Sequence, residues 1–134
     1  MSKLIASVEE IIGENELHVV HFKHLNHTLA MMSLELPNIK IGDKVELGVK
    51  SSNVGIGKNM QGDFSFSNIL NSKIVKLEIG DVLCLATLEV STDTYIESLI
   101  TANSAKKLDL KIGDEVTAFF KASEISIQKV LKSS

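Results

Sequence analysis

Four histidines recur at every third residue in one short run, "HVVHFKHLNH", as His18, His21, His24 and His27, and the chain has no others. Neutral imidazole is a common ligand for zinc, nickel and copper, so this spacing raises metal binding first. On a helix an interval of three would keep neighbours on roughly one side. Val19, Val20 and Phe22 instead predict a strand, with a hairpin turn over residues 23–26. On a strand, His18 and His21 point to opposite faces. At most two or three rings could converge, and neither a cysteine nor a cluster of carboxylates joins them. The expectation is a His-rich exposed hairpin with no metal site, and nothing else in the sequence supports a pH-sensitive interface there.

The remaining reactive types point away from catalysis. The sequence has no GxSxG, HExxH, CxxC or P-loop pattern. Its single Cys84 lies in "VLCLATL", which reads as a buried strand, and so it is expected to be an inert core thiol. Hydroxyl and lysine groups are what recur. In the second half they are Ser65, Ser67, Thr101, Ser104, Lys121 and Ser123; in the first they are Ser33, Lys50, Ser51 and Ser52. Hydroxyls, outward backbone N–H groups and one lysine suit a small oxyanion. The same residues also serve simply to cap and turn a chain, with lysine on a solvated edge.

These groups sit within a repeat. "KIGDKVELGVKSSNV", residues 40–54, returns as "KIGDEVTAFFKASEI", residues 111–125, at an offset of 71 that the sequence reading extends to the whole chain. Short alternating runs predict strands at 4–12, 17–22, 27–32, 43–50 and 53–58, and again at 69–79, 82–91, 94–101, 115–121 and 124–130. A short helix is expected between the third and fourth strands of each copy, with Thr101 as N-cap in the second and a turn ended early by Pro37 in the first. The fold class is therefore all-β, two tandem OB-like five-stranded barrels. The expected organisation is a first module over 1–58, a linker over 59–66 and a second module over 67–134.

Composition narrows the partners. The net charge is −3, and all fourteen basic residues are lysine. Without arginine, and with no basic stripe, nucleic acid is not an expected partner. No apolar run is long enough for a membrane span, and residues 1–12 carry Lys3, Glu9 and Glu10 where a signal peptide needs an apolar stretch. A lone cysteine fits a reducing cytoplasm. Modules of about 65 residues bury a modest fraction of their surface, which favours a homo-oligomer.

The second half resembles the Mop (TOBE-type) molybdate-binding domain. That family shows S-A-R-N-x-L-x-G, I-T-x-x-S, L-x-x-G-x-x-V and K-A-S-x-V. Here these stand as "SFSNILNS", "ITANS", "LKIGDEV" and "KASEI". A tandem pair is similar to the molbindins. The resemblance implies an OB-like barrel per module, no catalysis, and molybdate or tungstate held at interfaces between modules, largely between subunits. Thr101 and Ser104 would come from one side. Ser65 with Lys121 and Ala122, or Lys50 with Ser51, would come from the other. It also implies a trimer ahead of a dimer, and storage or buffering of the anion. Three positions depart from the family. Ser67 replaces the arginine of S-A-R-N, the first module's opening serine would precede Met1, and its threonine position is read as Ala30, with Ser33 keeping the second hydroxyl. The first module is thus expected to be degenerate. Those departures also define an alternative, a regulatory or adaptor module with little anion affinity that acts through a protein partner.

Overall fold

Alternation of apolar and polar residues builds each strand. In β1 (Ser2–Glu14) Leu4, Ala6 and Val8 are buried while Lys3 and Ile5 face outward; in β4 (Lys44–Val49) Val45, Leu47 and Val49 are buried. The computed structural model describes residues 1–36 and 38–132. It contains ten strands. The others are β2 (Leu17–His24), β3 (His27–Ser33), β5 (Gly55–Gly57), β6 (Asn68–Ile79), β7 (Leu83–Ser91), β8 (Thr94–Thr101), β9 (Glu115–Phe120) and β10 (Ile125–Lys132). One helix, α1 (Ala102–Lys107), lies between β8 and β9. Its counterpart in the first half is a loop among the described residues. Pro37, expected to shorten that turn, lies outside them, as do Ser133 and Ser134.

The strands form two antiparallel five-stranded sheets, ordered β10-β4-β1-β2-β3 and β5-β9-β6-β7-β8. Each sheet therefore ends in a strand from the other half of the chain. The crossing is made by the repeated lysine turn. After β4, Lys50 is extended and a single 3₁₀ turn, Ser51–Asn53, redirects the chain, with the Asn53 N–H donating to Lys50 O at 2.9 Å. After β9, Lys121 and the turn Ala122–Glu124 do the same, with Glu124 N–H on Lys121 O at 3.0 Å. Alternation marks a strand but not its partner, so the exchange cuts across spans read from sequence alone. Val54, Ile56 and Ile125, at or beside the crossings, are buried, each contributing about 1.5–3 kcal/mol. The buried apolar side chains form one contiguous cluster through both sheets. Lys58, just past β5, fastens the crossing by donating to Leu108 O at 3.2 Å, Asp109 O at 2.9 Å and the Asp114 carboxylate at 3.0 Å.

Register gives the true correspondence of the halves. Val49 and Phe120 are 71 apart, but their ladder partners, Ser2 and Asn68, are 66 apart. Phe22 and Leu88 are likewise 66 apart, and their partners Leu29 and Ile96 are 67 apart. The offset of 71 therefore holds only after the third strand, because β8 leads into a helix where the first half has a shorter loop. Ala30 thus corresponds to Glu97, not to Thr101. One step beyond β3, Leu34 takes the place of Thr101.

The shared "KIGD" turns have a shared task. Gly42 and Gly113 both adopt φ +96°, a region that favours glycine. Gly113 N–H donates to Ile74 O at 2.8 Å, Ile74 N–H donates to Asp114 O at 2.9 Å, and Lys111 N–H donates to the Asp114 carboxylate at 2.9 Å. Gly42, Asp43, Lys40 and Val8 repeat the pattern in the first half.

Candidate functional site

The hydroxyl pair is set by the start of α1. Thr101 stays extended as N-cap; its Oγ1 accepts from the Ser104 N–H at 3.0 Å and donates to Ser104 Oγ at 2.9 Å. Ser104 thereby keeps its own hydroxyl proton for an outside acceptor. The cleft beside it is lined by Gly55, Ile56, Ile100, Lys107, Leu108 and Phe119. A Cβ on Gly55 would lie 2.5 Å from the Phe119 ring, so a larger residue there would displace that ring.

The opening segment of the second module adjoins this cleft through Phe66, but its serines are not among the lining residues. Ser65 and Ser67 are exposed, while Phe66 between them packs on Phe119 with ring centroids 4.7 Å apart. Ser67 and Lys121 flank the last rung of the β6–β9 ladder, Asn68 opposite Phe120. Lys121 is exposed and Ala122 is buried, and their turn packs against β3 of the other sheet. Ser33, at the end of β3, donates to Glu35 O. In the matching corner, Lys50 is exposed and Ser51 half-buried. Lys50 shares a cleft with Met1, Asn53, Ser123 and Ser126.

One protomer thus brings Ser67 and Lys121 to one corner, and Lys50 to another. Neither the lysine corners nor Ser65 line the Ser104 cleft. Ser123, read from the sequence beside Lys121, lies instead in the cleft of Lys50, a neighbourhood created only by the strand exchange. One residue of this region was not singled out in the sequence. Asn68, part of "SFSN", is fully buried and hydrogen-bonded to Ala30 of β3 at 2.7 and 3.0 Å. A polar residue at an inward position of an alternating strand was the available signal.

The histidines separate. His18 lies over Gly13, and a Cβ there would meet its ring at 3.0 Å. His21 faces outward and pairs with Glu10 at 2.9 Å. His24 and His27 oppose each other at the hairpin tip, where His24 Nδ1 donates to Ile5 O at 2.7 Å. Burial, then the neighbouring His24 and Lys23, hold the His27 pKa below its ordinary value. Among the described residues no group of three or more His, Cys, Asp or Glu could hold a metal ion. Cys84 is fully buried, and burial pushes its thiol pKa up. No helix among the described residues is long and apolar enough to cross a membrane.

A family model for the TOBE domain matches residues 65–127. Molybdenum-pterin-binding proteins 1 and 2 of Clostridium pasteurianum are 33% and 35% identical over 63 residues, 47% of this chain and 93% of each relative. The chain belongs to the Mop (TOBE-type) family. The Mop-type fold extends beyond that segment. A crystal structure of the cytoplasmic molybdate-binding protein ModG, with molybdate bound, matches 96% of this chain and 95% of that one. Its TM-score is 0.90 at 24% sequence identity, a likeness of fold.

Proposed function

We propose that this Mop-family chain binds molybdate, with tungstate as an alternative ligand of the same charge and shape, and stores or buffers it in the cytoplasm without transforming it. The relatives are named for binding molybdenum-pterin and the ModG neighbour for binding molybdate, which supports a molybdenum-containing ligand. The observation that carries the mechanism is the separation of donors within one protomer. Ser104, hydrogen-bonded to Thr101, opens at one cleft, while Ser67 and Lys121 meet at one corner beside Ala122, and Lys50 and Ser51 lie at another. A dianion needs donors on several sides, and a second copy of the chain brings the hydroxyl pair of one protomer to a lysine corner of the next. A closed homo-oligomer, a trimer ahead of a dimer, repeats that junction. The first module has Leu34 where the second has Thr101, and its Ser33 takes the register place of Ile100, so it contributes Lys50 and Ser51 and no hydroxyl pair of its own.

Native mass spectrometry tests this directly. A discrete oligomer that gains a fixed number of molybdates, and no sulfates, is the expected result. Substituting Thr101 and Ser104 by Ala should remove the uptake and leave the oligomer. An oligomer that takes up neither anion would replace the storage reading with the adaptor one.

A further inference from the structure

We infer that Asn68 is a positioning residue for the anion site, its amide tying the segment that carries Ser65 and Ser67 to the edge strand of the other sheet. The inference rests on the reading above that this corner binds an oxyanion. Asn68 is 0% exposed, and both ends of its amide are used on one residue. Its Oδ1 accepts from Ala30 N–H at 2.7 Å and its Nδ2 donates to Ala30 O at 3.0 Å. β3 is the edge of its sheet, and an edge strand carries outward backbone groups that need partners. The Asn68 amide supplies both, in the manner of one rung of a ladder.

The corresponding place in the other half shows that this is a device and not a coincidence of packing. Ser2 matches Asn68 in register, Glu97 matches Ala30, and Ser2 Oγ accepts from Glu97 N–H at 2.8 Å. A hydroxyl makes that junction through one point, whereas the amide of Asn68 fixes both position and rotation. Ser67 is the next residue along the chain, and Lys121 follows Phe120, the ladder partner of Asn68. One proposed anion donor, Ser67, therefore sits one residue from a two-point anchor, and a second, Lys121, sits one residue from the anchor's ladder partner. Donor groups displaced by about an ångström lose much of their grip on a bound group. The first module, lacking a threonine at position 34, serves the second module's corner by providing the anchor strand.

The test uses the full chain with three variants: Asn68→Ala, Asn68→Ser and Ser2→Ala. Two readouts are taken: molybdate affinity by calorimetry, and hydrogen exchange over residues 65–69 without anion. Asn68→Ala should weaken molybdate binding roughly tenfold or more and speed exchange over 65–69. Asn68→Ser, which retains one hydrogen-bonding point, should fall between it and the parent. Ser2→Ala should leave exchange over 65–69 unchanged. A folded Asn68→Ala with parental affinity, or with parental exchange over 65–69, overturns the inference. Should Asn68→Ala not fold, Asn68→Ser decides by the same two criteria. A parent chain that takes up no molybdate removes the anion reading alone, and the exchange data then decide whether the amide fixes the segment.

Discussion

Leu88→Ala should loosen both barrels, although Leu88 belongs to only one. Its side chain is 0% exposed in the second sheet. Truncation removes three carbons from a packed core and leaves a cavity, a loss of roughly 3 kcal/mol. Two independent modules would confine that loss to the second. Here β10 is hydrogen-bonded to β4 and β5 to β9, so neither sheet opens fully without releasing a strand of the other. The slowest-exchanging amides of β1 and β4 should therefore exchange about a hundredfold faster in the variant, as should those of β6 and β9. Native-state hydrogen exchange read by mass spectrometry, at one fixed protein concentration, measures this for all four strands. Acceleration confined to β6, β7, β8 and β9, or two separate denaturation steps, would refute the coupling.

Gly113→Ala should cost about 1–2 kcal/mol, seen as a lowered melting temperature. Nothing lies within 4 Å of the added Cβ, so the loss would come from the φ of +96° alone. His27→Gln should flatten the loss of stability on the acid side. The native state holds His27 below its ordinary value of 6.5, so as pH falls through 6.5 the unfolded chain takes a proton that the native one resists. Stability therefore drops with falling pH in the parent and less so in the variant, which urea midpoints at about pH 7.5 and 5.5 would show. Parallel pH profiles would count against it.

Much of this fold was readable because its strands alternate cleanly. All ten expected runs overlap the observed strands, and Thr101 is the N-cap of α1 as its position before "ANSAKK" predicted. Partnership was not readable. The exchange of β5 and β10 depends on where a three-residue turn aims the chain, and no periodicity records that. The constant offset also misled. It was fixed on the fourth strand, where identity is highest, and carried backward across a loop that differs in length, which set Ala30 in the place of Thr101. Strand geometry sets His21 on the face opposite His18, as expected, while the opposition of His24 and His27 came from the hairpin's register. For the proposed anion site, the sequence offered the candidate donors by residue type. Their distribution over separate corners follows from the barrel seams, which a linear motif cannot show.

The exchange of end strands also bears on how the chain is made. The first sheet receives its edge strand from residues 125–132, so β1 to β4 leave the ribosome well before the strand that closes them. Until then β4 presents a bare edge with Val45, Leu47 and Val49 behind it, the kind of surface that pairs with whatever strand is nearest. On a crowded polysome the nearest strand can be the β10 of a neighbouring chain. The topology that interlocks two barrels within one molecule thus also gives nascent chains a route to entangle with each other, and the speed at which the second half is synthesised sets how long that route stays open.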